Sequence, residues 1–187
     1  MSTGYQIKDQ EALHYLTLQI VDWIDLFSRK VYRDIVLESI RYCQQNKGLQ
    51  VFGYVIMSNH VHLICNSPEG KLSDTIRDLK KFTSRKIIEA IETGNESRRE
   101  WMLDRFGFLG RKNSRNQDYQ VWTHENHALV LYTNPFIFEK LNYLHNNPVR
   151  SGIIERPEEY IYSSAKNYAD MPALLEIIKL TLPLIAF

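Results

Sequence analysis

The stretch Gly53–Asn66, GYVIMSNHVHLICN, decides the architecture. Val, Ile, Tyr and Leu favour extended backbone, and Ser58-Asn59 interrupts them. The segment therefore reads as two strands, Val51–Met57 and Val61–Cys65, joined by a short turn. Side chains alternate across a strand, so His60 and His62 share one face while Val61 points to the other. Two imidazoles on one side of a strand are two-thirds of a facial metal site. They equally suit an ordinary half-buried surface, and only a partner elsewhere in the chain can decide between these readings.

Upstream, His14–Val21 reads as a strand with Leu16, Leu18 and Ile20 on one face and Tyr15, Thr17 and Gln19 on the other. A helix over Arg29–Gln45 follows, with Ser28 as N-cap and Val31, Ile35, Val36, Ile40 and Cys43 as its apolar stripe. Downstream, Pro68-Glu69-Gly70 breaks the second central strand. The spacing predicts a long helix over Asp74–Thr93, capped by Ser73, with Ile76, Leu79, Phe82, Ile87, Ile88 and Ile91 inward. Its polar face carries Arg77, Lys80, Lys81, Arg85 and Lys86, a solvated face or a set of phosphate contacts. Arg99–Phe108 is a short helix with Trp101, Met102 and Phe106 on one side. The loop Gly110–Asp118 sets Arg111, Lys112 and Arg115 among Asn and Gln donors, a composition suited to nucleic acid.

Tyr119–Trp122 and Ala128–Tyr132 read as short strands. A helix over Phe136–Asn146 is introduced by Thr133 or Asn134 and Pro135 and ended by Asn147-Pro148. Ser163 or Ser164 caps a last short helix, and the apolar segment at 170–187 reads as a docking tail. Strand–helix–strand–strand–helix, then strand and helix, predicts an α+β fold: a ferredoxin-like antiparallel sheet with helices packed on one face, one domain over 1–187 with its core at about 15–168.

The net charge of +1 excludes a globally basic protein, so nucleic-acid binding would need local patches. Cys43 and Cys65 lack metal-pair spacing and suit a reducing compartment. With no apolar leader in MSTGYQIKDQ and no 18-residue apolar run, a cytoplasmic protein is expected.

The partner for the two histidines lies in KLNYLHNNP, residues 140–148. Tyr143 and Asn147 are four apart and share a helix face. The Asn147 oxygen suits a third metal ligand beside His60 and His62, and the Tyr143 phenol suits a nucleophile that forms a phospho-ester. Alone, the pair reads better as a surface aromatic and a helix C-cap before Pro148; together with the HVH strand it does not.

YVIMSNHVHLIC, LKKFTSRKI, a Trp, YLHNNPVRSGII and RPEEYIYSSAKNY, in this order, resemble the single-tyrosine HUH transposases, and within them the REP-associated tyrosine transposase branch. The resemblance runs from about Tyr15 to Tyr168. It implies attack of Tyr143 on a single-strand phosphodiester, a 5′-phosphotyrosine intermediate, and Mg²⁺ or Mn²⁺ held by His60, His62 and Asn147. It implies hairpin or single-stranded DNA as partner, handled by a monomer or a homodimer, with contacts from Arg77, Lys80, Lys81, Arg85, Arg111, Lys112 and Arg115. One departure is THENHALVLY after Trp122, where the branch carries a basic stretch; His124 and His127 are expected at the surface. The rival expectations are a domesticated hairpin binder without catalysis and a phosphoesterase that uses activated water.

Overall fold

The computed structural model describes residues 7–112 and 118–181. Strands β1 (His14–Gln19), β2 (Gln50–Ile56), β3 (His60–Asn66) and β4 (Leu129–Val130) form one antiparallel sheet in the order β2–β3–β1–β4. Helix α1 (Lys30–Asn46) connects β1 to β2, and α2 (Leu72–Thr93) with α3 (Arg99–Lys112) lies between β3 and β4. This is the split βαβ arrangement of ferredoxin-like folds, as the element order predicts. Then come α4 (Asn134–His145), α5 (Asn147–Arg150) and α6 (Ala165–Tyr168).

Register explains the two faces. Thr17 pairs with His62, Gln19 with His60, Tyr15 with Ile64, and Val55 with His62, so these side chains share one side. Leu16, Leu18, Val61, Leu63 and Cys65 take the other and are fully buried, in one core with the inward residues of α1 and α2. Helix α4 lies on the histidine side. A Cβ at Gly53, beside a bulge in β2, would sit 3.0 Å from Leu141 Cδ1 and 3.6 Å from Ile64 Cδ1. The missing side chain is what lets α4 approach the sheet.

Several boundaries differ from the sequence reading, each for a local reason. Strand β1 stops at Gln19, because the Ile20 amide donates to the Asn59 carbonyl and that of Val21 to the Val121 carbonyl. Ser28 does not cap α1; its hydroxyl donates to the Asp25 carbonyl. Ser73 lies inside α2 rather than capping it. Its amide donates to Gln10 Oε1 at 2.7 Å while Gln10 Nε2 donates to its hydroxyl at 2.9 Å. A residue 63 positions away thus does the capping.

Helix α3 runs on to Lys112, so Arg111 and Lys112 are helical rather than in a loop; Arg115 lies outside the described residues. Gly110 permits the extension, since a Cβ there would lie 2.5 Å from the Asp118 carbonyl oxygen. Tyr119–Trp122 is not a strand: Trp122 makes a single bridge to Ile20, and its indole donates to Thr83 Oγ1 at 3.0 Å. Phe82 and Trp101, read as inward, are exposed. Pro148 does not end the helical path. Asn146 stays in the αR region, and the Arg150 and Ser151 amides donate to the Asn146 and Asn147 carbonyls. Proline needs no donor of its own that early in α5.

The tail crosses the outer edge of the sheet, where the Ile178 amide donates to the Val51 carbonyl at 2.9 Å and Leu175 is buried. It forms no helix up to residue 181, and 182–187 lie outside the described residues. Among the described residues no helix is long and apolar enough to cross a membrane.

Gly53→Val is expected to push Leu141 and α4 off the sheet and destabilise the protein by about 1–3 kcal/mol. A urea titration checks this, and an unchanged midpoint would show that α4 does not depend on the gap.

Candidate active site

The β1–β3 register supplies the platform. His60 and His62 project side by side with ring centroids 4.6 Å apart. Each has one nitrogen engaged: His60 Nδ1 meets Asn59 Oδ1 at 2.8 Å, and His62 Nδ1 meets Thr17 Oγ1 at 3.0 Å. Such contacts fix ring orientation through Nδ1 and do not involve Nε2. Burial drags the His60 imidazole down to about 4 and that of His62 to about 3, with the neighbouring His60 adding to the effect at His62. Both rings are neutral near pH 7, the form that ligates a metal.

Helices α4 and α5 bring Tyr143 and Arg150 to this platform, with Asn147 between them at the i+4 position of the same helical path. The Tyr143 ring lies 6.0 Å from that of His62 and 6.4 Å from that of Tyr15. It is 42% exposed, so its phenol is open to a macromolecular substrate. The Arg150 guanidinium stacks 3.9 Å from the Tyr143 ring centroid, and Lys140 Nζ lies 5.9 Å from it. The end of α4 is tied to the sheet through His145 Nε2 and Ser164 Oγ, 2.9 Å apart, and that hydroxyl in turn accepts the Tyr54 amide.

Asn147 is buried where α5 begins. Its backbone carbonyl accepts the Ser151 hydroxyl. No group of three His, Cys, Asp or Glu side chains able to hold a metal occurs among the described residues. Two neutral imidazoles plus the Asn147 side-chain oxygen nonetheless fit a divalent cation that completes its shell with water and phosphate oxygens.

Three contributors escaped the sequence reading. Arg150 belongs to the NPVRSG block, and its i+7 spacing from Tyr143 was the available signal. Thr17 is visible only through strand register. Tyr15 is buried beside His62, at 5.1 Å between rings, and its hydroxyl has no partner among the described residues. Burial and the nearby Tyr143 push its pKa well up, so it stays a neutral phenol.

The proposed DNA contacts are dispersed. Lys80 is not on the open face of α2: its ammonium donates to the Thr123 carbonyl at 2.6 Å and Asn126 Oδ1 at 2.8 Å, and burial lowers it to about 8. Arg77 is engaged by Asp74 and Asp78. Lys81, Arg85, Arg111 and Lys112 are exposed. His124 is exposed, as expected, and His127 partly so.

Residues 24–106 match the family model described as "Transposase IS200 like". The match includes His60 and His62 and ends before Tyr143. The match supports the resemblance to the single-tyrosine transposases over these residues. The fold is similar to a solved structure titled "Structure of the REP associates tyrosine transposase bound to a REP hairpin", with a TM-score of 0.66 over 97% of this chain and 96% of that one, at 11% identity. No curated protein matches the chain.

The depressed histidines predict a pH response. An unfolded imidazole titrates near about 6.5, whereas folded His60, His62 and His145 take protons only near 4, 3 and 4. Between these values the unfolded chain binds more protons, so stability falls as pH drops. Thermal unfolding in chelator is expected to show a falling Tm from pH 7 to 5, above the carboxylate range. A His60→Gln, His62→Gln double variant should show a shallower fall, and an equal slope would contradict the burial account.

Proposed function

We propose that this protein is a single-strand DNA endonuclease and strand transferase with Tyr143 as nucleophile, assisted by Mg²⁺ or Mn²⁺ held by His60, His62 and Asn147. The observation that carries this reading is the placement of a half-exposed tyrosine against two neutral histidines and one arginine. The match to the IS200-like transposase model supports DNA as substrate, and the similar solved protein, bound to a REP hairpin, supports a hairpin.

In this reading the Tyr143 oxygen forms a bond to phosphorus as the P–O3′ bond breaks. The phenol proton balances the departing 3′-oxygen, leaving a 5′-phosphotyrosine and a 3′-hydroxyl. Attack by a 3′-hydroxyl reverses the step and rejoins the strand. Arg150 offsets negative charge on the Tyr143 oxygen and on the phosphate, and holds the phenol ring in place. Thr17 and Asn59 keep the two imidazoles oriented. A bound divalent ion supplies Lewis-acid polarisation of a non-bridging phosphate oxygen. Lys81, Arg85, Arg111 and Lys112, all exposed, contribute phosphate contacts.

A labelled hairpin oligonucleotide with a single-stranded flank, incubated with Mn²⁺ and run on a denaturing gel, tests the reading. Label should shift to the mass of the protein, and should not do so with chelator or with Tyr143→Phe. Adduct surviving in Tyr143→Phe would remove the nucleophile assignment, and free product without adduct would indicate activated water. Arg150→Ala is expected to slow adduct formation by roughly 10- to 100-fold, read in single-turnover time courses, while hairpin affinity changes less.

A further inference from the structure

Beside His60 lies an open cleft lined by Asp22, Trp23, Ile24, Asp25, Arg98, Trp101 and Arg105. Two of its walls are indoles, and both are exposed: Trp23 at 59% and Trp101 at 54%. Apolar rings of this size are normally buried, and leaving two of them open at one cleft calls for a partner.

The Trp23 indole is held out by its backbone. Asp22 and Trp23 are consecutive residues at positive φ, 53° and 56°. For a bulky side chain this is a costly conformation that surrounding structure must enforce. Here the Trp23 amide donates to the Ile20 carbonyl at 3.2 Å, and the Trp23 carbonyl accepts the Asn59 side-chain amide at 3.3 Å. The same Asn59 side chain contacts His60 through its oxygen, and the Trp23 and His60 rings meet edge-on at 6.2 Å. The cleft and the histidine pair therefore share a positioning residue.

The arginines are fixed as well. Arg98 is braced by the buried carboxylate of Glu96 at 3.3 Å, and Arg105 pairs with Asp22 at 2.5 Å. From the cleft, α3 carries an exposed row at 101, 105, 108 and 112, in which Arg105 and Lys112 lie 5.5 and 5.2 Å from the Phe108 ring centroid. Phe108 is itself 44% exposed. The row alternates aromatic and cation along ~16 Å of helix. Every base offers a π-face and every phosphate a charge, so such alternation matches an unpaired strand and has nothing to read in a closed duplex.

We infer that Trp23, Trp101 and Phe108, interleaved with Arg98, Arg105 and Lys112, form a stacking track for unpaired DNA that leads to the His60 side of the site. The inference rests on the strand-transfer reading for its choice of DNA. It specifies which side of the histidine pair the single strand occupies and that stacking holds it there. The carboxylates of Asp22 and Asp25 favour bases with an exocyclic amine over thymine in the cleft.

The test is equilibrium binding in the Tyr143→Phe background without metal, so that neither cleavage nor adduct enters. Fluorescence anisotropy is read with a labelled unpaired decamer of alternating dA and dC, and with a blunt duplex of equal length. Trp101→Ala and Phe108→Ala, both at exposed positions, are expected to raise the decamer Kd by roughly 5- to 100-fold each and to change the duplex Kd by less than about twofold. Tyr132→Ala, at a more exposed aromatic outside the track, should change neither. Unchanged decamer affinity in both track variants, or equal weakening on decamer and duplex, overturns the track. Failure of Tyr143 to form adduct would overturn the strand-transfer reading and leave this binding result intact.

Discussion

The pairing of β1 with β3 is the constraint on which the site depends. With Thr17 opposite His62 and Gln19 opposite His60, both imidazoles stand on the face away from Leu16, Leu18, Val61 and Leu63. A slip of one residue would turn both histidines into the apolar core and bring four large aliphatic side chains to the site. The burial of those side chains is what resists the slip. The same register places Thr17 where it can orient His62, so one pairing fixes the positions of both imidazoles and the angle of one ring. The short β4, by contrast, adds only two residues beside His14 and Tyr15, and takes no part in that geometry.

The second constraint is the approach of α4 to the same face. Gly53 removes a side chain where Leu141 must sit, and Ser164 and His145 clamp the helix end to β2. Because the helical path continues through Asn146 and Pro148, Tyr143, Asn147 and Arg150 keep one azimuth instead of being scattered by a break. The surroundings of Tyr143 are thus built by two rigid pieces in contact, a sheet face and a helix face. A loop in that role would have to order itself on substrate.

What was legible in the sequence follows from the range of the forces involved. The period-2 alternation of HVHLIC and the opposite faces of Leu16 and Thr17 come from local backbone geometry, and they predicted the sheet and the orientation of both histidines. The i, i+4 relation of Tyr143 and Asn147 was legible for the same reason. Capping was not, because the partner of Ser73 is Gln10, brought close only by the tertiary fold. Lys80 looked like one more surface cation, yet the segment Thr123–Asn126 folds over it and takes its three donors. Trp101 sat beside Met102 in sequence, and helical rotation of about 100° per residue turned one outward as the other went in. Tyr15 carried no chemical signal in the sequence. Only its position beneath Tyr143 gives it one.

Electrostatics sets what kind of binding surface this molecule can offer. Cations and anions number 23 and 22, and many of the cations are already engaged by carboxylates, among them Lys30, Lys47, Arg77 and Arg98. The counterions released when protein cations neutralise phosphates scale with the number of free cations. A surface with few of them cannot hold DNA through the backbone alone, or hold it indiscriminately. Affinity must then come from contacts that a paired, stacked duplex does not present: bases that can lie on indole and phenyl rings, and a phosphate seated between histidine, arginine and tyrosine. Low net charge and exposed aromatics are in this sense one property. In the strand-transfer reading they disfavour ordinary duplex and favour an unpaired strand next to a hairpin.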